Sequence, residues 1–262
     1  MKRIAMECIQ HGEKTFLKFR KLTDSGVFHF SSTRKGWGGN GQSRFTGDQP
    51  ETYNYFRQEL ANAFRLDAKQ LVIPRQVHGK RVVVVNELTV PGDLEETDAL
   101  ITNQPQCCIC VQTADCVPIL LYDPVRRVVG AVHAGWRGTV QKLVSKTVHE
   151  MQRHFNTQPE DLIAGIGPSI HLHAYEVGDE VIRAVREKLP NYRELLKPAT
   201  KPGKAYFDLW EANKSLLVMA GVPEEQIEIM GFCSFSHQTL FYSARRDGIN
   251  TGRMISGIML AK

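Results

Sequence analysis

Apolar positions in this chain gather into short runs separated by turn residues, and two runs dominate. The stretches 117–122 and 128–132 are continuously apolar and flank Asp123-Pro124. Proline at the second position of a turn pre-sets φ, and the Asp before it can accept from the backbone ahead. The pattern predicts a β-hairpin or a tight strand–turn–strand. Shorter strand-like runs lie at 15–19, 26–30, 81–85, 98–102, 107–111, 162–166, 227–232 and 254–260.

Between them the apolar spacing changes to the helical period. Over 48–66, Tyr53, Phe56, Leu60, Ala63 and Phe64 share one face, with Pro50 near the start. Val140, Leu143, Val144, Thr147, Val148 and Met151 predict one amphipathic helix of about four turns. The stretch 178–189 is helical. Asp208, with Glu211 three residues on, predicts an N-cap for a helix that stops at Gly221. The stretch 195–204, with two prolines and three lysines, reads as an exposed loop. Strands alternate with helices, with no repeat and no long linker. The expectation is a mixed α/β fold in a single domain spanning 1–262.

Composition narrows the class. Hydrophobic content of 42% and charged content of 23% are ordinary for a globular protein with its own core. The net charge of +5 is spread along the chain rather than gathered in a stripe, so an anionic small ligand is expected and nucleic acid is not. No segment approaches the roughly 20 apolar residues of a membrane span, and the N-terminus lacks the apolar core of a secretory signal. Six cysteines, three crowded at Cys107-Cys108-Ile109-Cys110, do not form an extracellular disulfide framework. A reduced, cytoplasmic protein is expected.

Candidate chemistry sits at the ends of the central hairpin. Cys116 stands just before its first strand and His133 just after its second apolar run, so a hairpin brings both to one end of a sheet. A thiolate beside an imidazole is metal-ligand or nucleophile chemistry, although each residue type is also common as plain core. Asp115 and Arg137 add polar company. The polar loop 31–41 holds four glycines with Arg34 and Lys35, a composition that can wrap an anion with backbone N–H groups, but it is not a nucleotide P-loop. His78 lies beside Gly79 between two strands. His171 and His173 would share one face of a strand and form a decoy metal pair. The spacing Cys107 to Cys110 lacks a second pair and lies in an apolar run, so these cysteines read as core.

In order along the chain come QVHG (76–79), TDALIT (97–102), TADCVPILLYDP (113–124), HAGWRGT (133–139), GIGPSI (165–170), YEVG (175–178) and RRDGINTGR (245–253). Together they resemble the bacterial polyphenol oxidase, or laccase-domain, family, read as purine nucleoside phosphorylase and adenosine deaminase. The resemblance covers nearly the whole chain. It implies a multilayered mixed-sheet α/β domain similar to the catalytic domain of cytotoxic necrotizing factor. It also implies a metal site on His78, Cys116 and His133. Three N/S ligands with an open fourth position are the pattern of catalytic zinc, with copper as the alternative metal.

The implied substrates are purine nucleosides (adenosine, inosine, methylthioadenosine) and phosphate, with adenosine deamination as a second activity. Asp115 or Asp98 is the candidate proton shuttle, and Arg34 and Arg137 are the candidates for phosphate, because guanidinium binds it bidentately. Gln76 and Asp98 are further candidate substrate contacts. A cysteine hydrolase or deamidase using Cys116 and His133 is the competing reading. A true multicopper oxidase is disfavoured, because paired histidine motifs are missing apart from His171/His173. The oligomeric state, monomer or homodimer, stays open.

Overall fold

The computed structural model describes residues 7–38, 41–48 and 50–262. Its frame is two six-stranded sheets. The first runs Glu7–His11, Lys14–Lys18, Phe28–Ser32, Met254–Met259, Cys108–Thr113, Leu71–Val72; the second runs Ile227–Ile229, Ile163–Ile166, Val117–Asp123, Val128–Ala134, Ala99–Thr102, Val82–Val84. Both are mixed: most neighbours are antiparallel, while Leu71–Val72 pairs in parallel with Cys108–Thr113, Val82–Val84 with Ala99–Thr102, and Ile227–Ile229 with Ile163–Ile166.

The sheets stack face to face, and the two-residue period of a strand explains how. Ile109, Val111 and Ile258 of the first sheet meet Leu100, Leu120, Val129 and Ala131 of the second in one apolar layer. The alternate residues point outward. Cys108, Cys110 and Ile255 pack under the helix Pro50–Phe64. Ile119, Leu121 and Val132 pack under the helices Leu143–Phe155, Asp179–Lys188 and Leu209–Met219. The order is helix, sheet, sheet, helices. Strands buried on both faces read as continuous apolar runs, which is the pattern of the central hairpin.

That hairpin forms with Val117 opposite Ala134 and Pro118 opposite His133. Its turn is closed as the residues dictate: Asp123 Oδ1 accepts from the N–H groups of Val125 and Arg126, each at 2.9 Å. Asp208 caps its helix, its Oδ1 accepting from the Glu211 N–H at 3.0 Å, and Gly221 follows the helix end at φ 96°.

Three expectations are corrected. The helix expected from Val140 is broken: Trp136–Val140 is a separate short helix, and Lys142 sits left-handed at φ 57° before Leu143–Phe155 begins. The loop 195–204 contains the strand Leu196–Pro198, which pairs with Ala205–Phe207 because Leu196 has the buried Phe207 to face. His171 and His173 are not on a strand. They flank and enter the turn Leu172–Ala174, where the His171 ring packs on Trp210 at 4.5 Å. Of the glycine-rich loop, Gly39 and Asn40 lie outside the described residues, as does Gln49 before the first long helix.

Candidate active site

The chain crosses from the first sheet to the second twice at one end of the stack. The first crossing follows Leu71–Val72 and carries His78; the second follows Cys108–Thr113 and carries Cys116. His133 is the last residue but one of the strand that pairs with the one starting at Val117. The ligand atoms of His78, Cys116 and His133 all lie within 4.8 Å of one another. Burial rises from the exposed His78 through the half-buried Cys116 to His133. Among the described residues no other group of this kind forms; the decoy rings of His171 and His173 lie 4.8 Å apart without a third partner.

One carboxylate organises this corner. Asp98, fully buried, accepts from His133 Nδ1 at 2.8 Å and from the N–H groups of His78 at 2.9 Å, Gly79 at 2.7 Å and Val77 at 3.3 Å. It fixes the His133 ring so that Nε2 is left for Cys116 or an ion. It also holds the turn that puts His78 at φ 61°, a left-handed conformation a non-glycine residue keeps only under such restraint. Burial pushes the Asp98 carboxyl up, but the hydrogen bond and charge of His133 with the N–H donors of Gly79 and Val77 outweigh it, and the pKa is lowered. Burial likewise pushes the Cys116 thiol up; the charges and hydrogen bonds of His133 and His78 prevail and bring it to about 6. Burial pushes His133 down, and Cys116 and Asp98 raise it to about 9.

Gly135, just past His133, keeps the corner open. A Cβ there would lie 2.9 Å from Cys116 Sγ and 3.1 Å from His78 Cδ2.

The donor set fits a metal. Thiolate and two imidazoles, one oriented by a buried carboxylate, are the ligand types zinc and copper take, and the carboxylate–histidine arrangement is the usual outer support of such sites.

The three residues line a cavity of about 520 Å³. Asp115 and Gln76 line it too, but their polar atoms are committed. Asp115, at φ 83°, accepts from Ser234 Oγ at 2.6 Å and the Arg245 N–H at 2.7 Å. The Gln76 amide is tied to the backbone of Gln112 in both directions, at 2.8 Å each way. Asp98 lies behind His133 rather than on the cavity wall. Arg34 and Arg137 do not line the cavity. Arg34 donates to the Gln238 carbonyl at 3.0 Å and lies over the Tyr242 ring. Arg137 pairs with Glu180 at 3.3 Å over the Trp136 ring.

Sequence reasoning missed the arginines that do line it: Arg44, Arg75, Arg245 and Arg253. Arg75 is paired with Asp48 at 2.6 Å. Among the described residues, the hydrogen bonds of the Arg44 and Arg253 guanidiniums go to backbone carbonyls alone: Arg44 to those of Thr251 at 3.2 Å and Ile249 at 3.5 Å, Arg253 to those of Ile249 at 2.8 Å and Gly252 at 3.1 Å, as well as Thr251. Burial, then the charge of Arg44, lowers the Arg253 pKa. Among the described residues neither guanidinium has a carboxylate partner, and two such cations lining one cavity are the kind of group that receives an anion. The RRDGINTGR motif contains two of the four arginines; nothing local marks Arg44 or Arg75.

A family model described as multi-copper polyphenol oxidoreductase laccase matches residues 31–261. The chain is 36% identical over 264 residues to a purine nucleoside phosphorylase of Bacteroides thetaiotaomicron, covering 95% of this chain and 98% of that one. It is 39% identical over 255 residues to adenosine deaminase RL5 of an unknown prokaryotic organism, covering 92% and 97%. Among solved structures, hypothetical protein YfiH of Bacillus licheniformis superposes with a TM-score of 0.86 at 31% identity, covering 94% and 96% of the chains. YlmD of Geobacillus stearothermophilus does so with 0.84 at 28%, covering 97% and 99%. Among the described residues no helix is long and apolar enough to cross a membrane.

Proposed function

The chain belongs to the multi-copper polyphenol oxidoreductase laccase family, and from that premise we propose that it is a purine nucleoside phosphorylase acting on adenosine, inosine and methylthioadenosine, with adenosine deaminase activity. The names of its relatives give the substrate class. The observation that carries the reading is one cavity holding both a His–Cys–His donor set and two carboxylate-free guanidiniums. Phosphorolysis needs an anion beside a nucleoside, and both fit a cavity of this size.

His78, Cys116 and His133 hold the metal, zinc by preference and copper as the alternative; bound there, it supplies Lewis-acid polarisation of an oxygen in the cavity. The rest is the work of the chain itself. Asp98 keeps His133 in one tautomer. Arg44 and Arg253 take phosphate, the role expected of Arg34 and Arg137, by exchanging backbone carbonyls for phosphate oxygens. Asp115 anchors the Arg245 segment against the cavity rather than moving protons, since both its oxygens are engaged. All six cysteines are free, and a cytoplasmic setting keeps Cys116 a ligand.

A second reading has one observation in its favour: Asp98, His133 and Cys116 form an acid–imidazole–thiol chain, which a cysteine hydrolase also uses. Its weakness is that the nearby N–H groups of residues 77–79 already serve Asp98 and are not free to stabilise an oxyanion.

Incubating zinc-loaded protein with adenosine, with and without phosphate, separates these. The expected products are adenine and ribose 1-phosphate with phosphate, and inosine without it. Arg253→Ala should raise the KM for phosphate about 10- to 100-fold, the effect of losing a charge-assisted hydrogen bond. Neither product from the wild type, or activity abolished by a thiol reagent but untouched by chelator, overturns the proposal.

A further inference from the structure

Tyr175 lies between the turn Leu172–Ala174 and the strand Glu176–Val177, and its backbone is pinned at both ends. Its N–H donates to the Leu172 carbonyl at 3.2 Å, and its carbonyl accepts from the Phe207 N–H at 3.1 Å. The half-buried side chain forms cavity wall together with Cys116 and His133. Among the described residues its hydroxyl makes no hydrogen bond to the protein. The neighbouring acids are spent, Asp115 on Ser234 and the Arg245 N–H, Asp98 on His133 and its own loop.

The Arg245 guanidinium lies over the Tyr175 ring, 5.3 Å from its centre, and is itself held by the Glu176 carbonyl at 2.9 Å. A cation on the ring face draws charge from the phenol oxygen and sharpens its O–H as a donor. Burial pushes the phenol above its usual range, with the nearby Cys116 in the same direction, so the proton stays on at neutral pH.

We propose that the Tyr175 hydroxyl is a catalytic hydrogen-bond donor to N7 of the departing purine, an inference that rests on the nucleoside reading above. In phosphorolysis the C1′–N9 bond breaks and its electron pair moves onto the purine, where the imidazole ring spreads it to N7. A phosphate oxygen forms the new bond to C1′. The proton released by the attacking phosphate hydroxyl balances the one the purine takes up. The phenol need not ionise; it stabilises the charge at N7 while the bond is breaking, when that charge is largest.

The test compares inosine with 7-methylinosine, whose methylated, cationic N7 accepts no hydrogen bond. Tyr175→Phe removes only the hydroxyl. It should lower kcat/KM for inosine about 100-fold and for 7-methylinosine by less than about threefold, the range expected for loss of one positioned donor. The ratio of the two substrates in one preparation is independent of how much protein is folded or loaded with metal, so a purely structural role leaves it unchanged. An equal loss on both substrates, or none on inosine, overturns the role of Tyr175 while the nucleoside reading stands. A wild type that cleaves neither substrate overturns both.

Discussion

A single carboxylate has four donors at the heart of the site. Asp98 receives His133 Nδ1 and three consecutive backbone N–H groups, so it sets the ring of one candidate ligand and the backbone of another. Asp98→Asn keeps the shape but turns part of that acceptor into a donor facing other donors. Its affinity for zinc should fall about 10- to 100-fold, the usual cost of losing the group behind a ligating histidine. Titration against a competing chelator measures it, and wild-type affinity would show that the His78 turn and the His133 ring hold themselves. Asp98 was legible in the sequence as a carboxylate at a strand start, but not its partners. The loop 77–79 is some twenty positions away, and only the paired strands bring it over.

At the scale of elements, the hairpin and the caps were legible because their chemistry is local. Asp123 closes its turn within three residues and Asp208 caps its helix within three. The misses are of the opposite kind. Lys142 interrupts a regular apolar spacing with a left-handed residue between the short helix Trp136–Val140 and the helix Leu143–Phe155, a break that apolar periodicity does not register. Leu196–Pro198 becomes a strand only because Ala205–Phe207 lies beside it. Arg44 and Arg253 meet from positions more than two hundred apart, beyond the reach of any spacing rule.

The strand-to-helix junction at Gly135 is where an element boundary becomes functional. Its backbone is ordinary extended chain, so alanine costs no strain there; the conflict is steric, with Cys116 Sγ at 2.9 Å. Gly135→Ala should reduce zinc-dependent turnover at least about tenfold, as small misplacements at reacting groups do. Its melting temperature should stay within roughly 4 °C of the wild type, equivalent to about 1 kcal/mol in a protein of this size. Unimpaired turnover would mean that the corner has slack.

Over the whole molecule, the two-sheet stack carries a buried histidine that does not line the cavity. His29 is fully buried, accepts from the Phe19 N–H at 2.9 Å and bonds the Val27 carbonyl at 3.0 Å; burial lowers its pKa to about 4. An unfolded chain protonates this ring near pH 6.5. Between that value and about 4 the unfolded state therefore binds a proton that the native state refuses. Stability falls on acidification through this window, by up to about 1.4 kcal/mol per pH unit from this group. Urea unfolding at pH 7 and pH 4.5 should show a smaller loss in His29→Gln than in the wild type; an identical loss would place the acid sensitivity elsewhere.

The four-layer order could be foreseen only as a mixed α/β arrangement. Continuous apolar runs announce strands buried on both faces, but not which sheet each joins. The chain's two passages from the first sheet to the second, one bearing His78 and the other Cys116, have a mechanical meaning. An ion gripped by both, with His133 as the third anchor, would act as a rivet through the seam of the stack. The layers could then not slide apart without tearing out the centre, and the three donors come together only once both sheets are assembled.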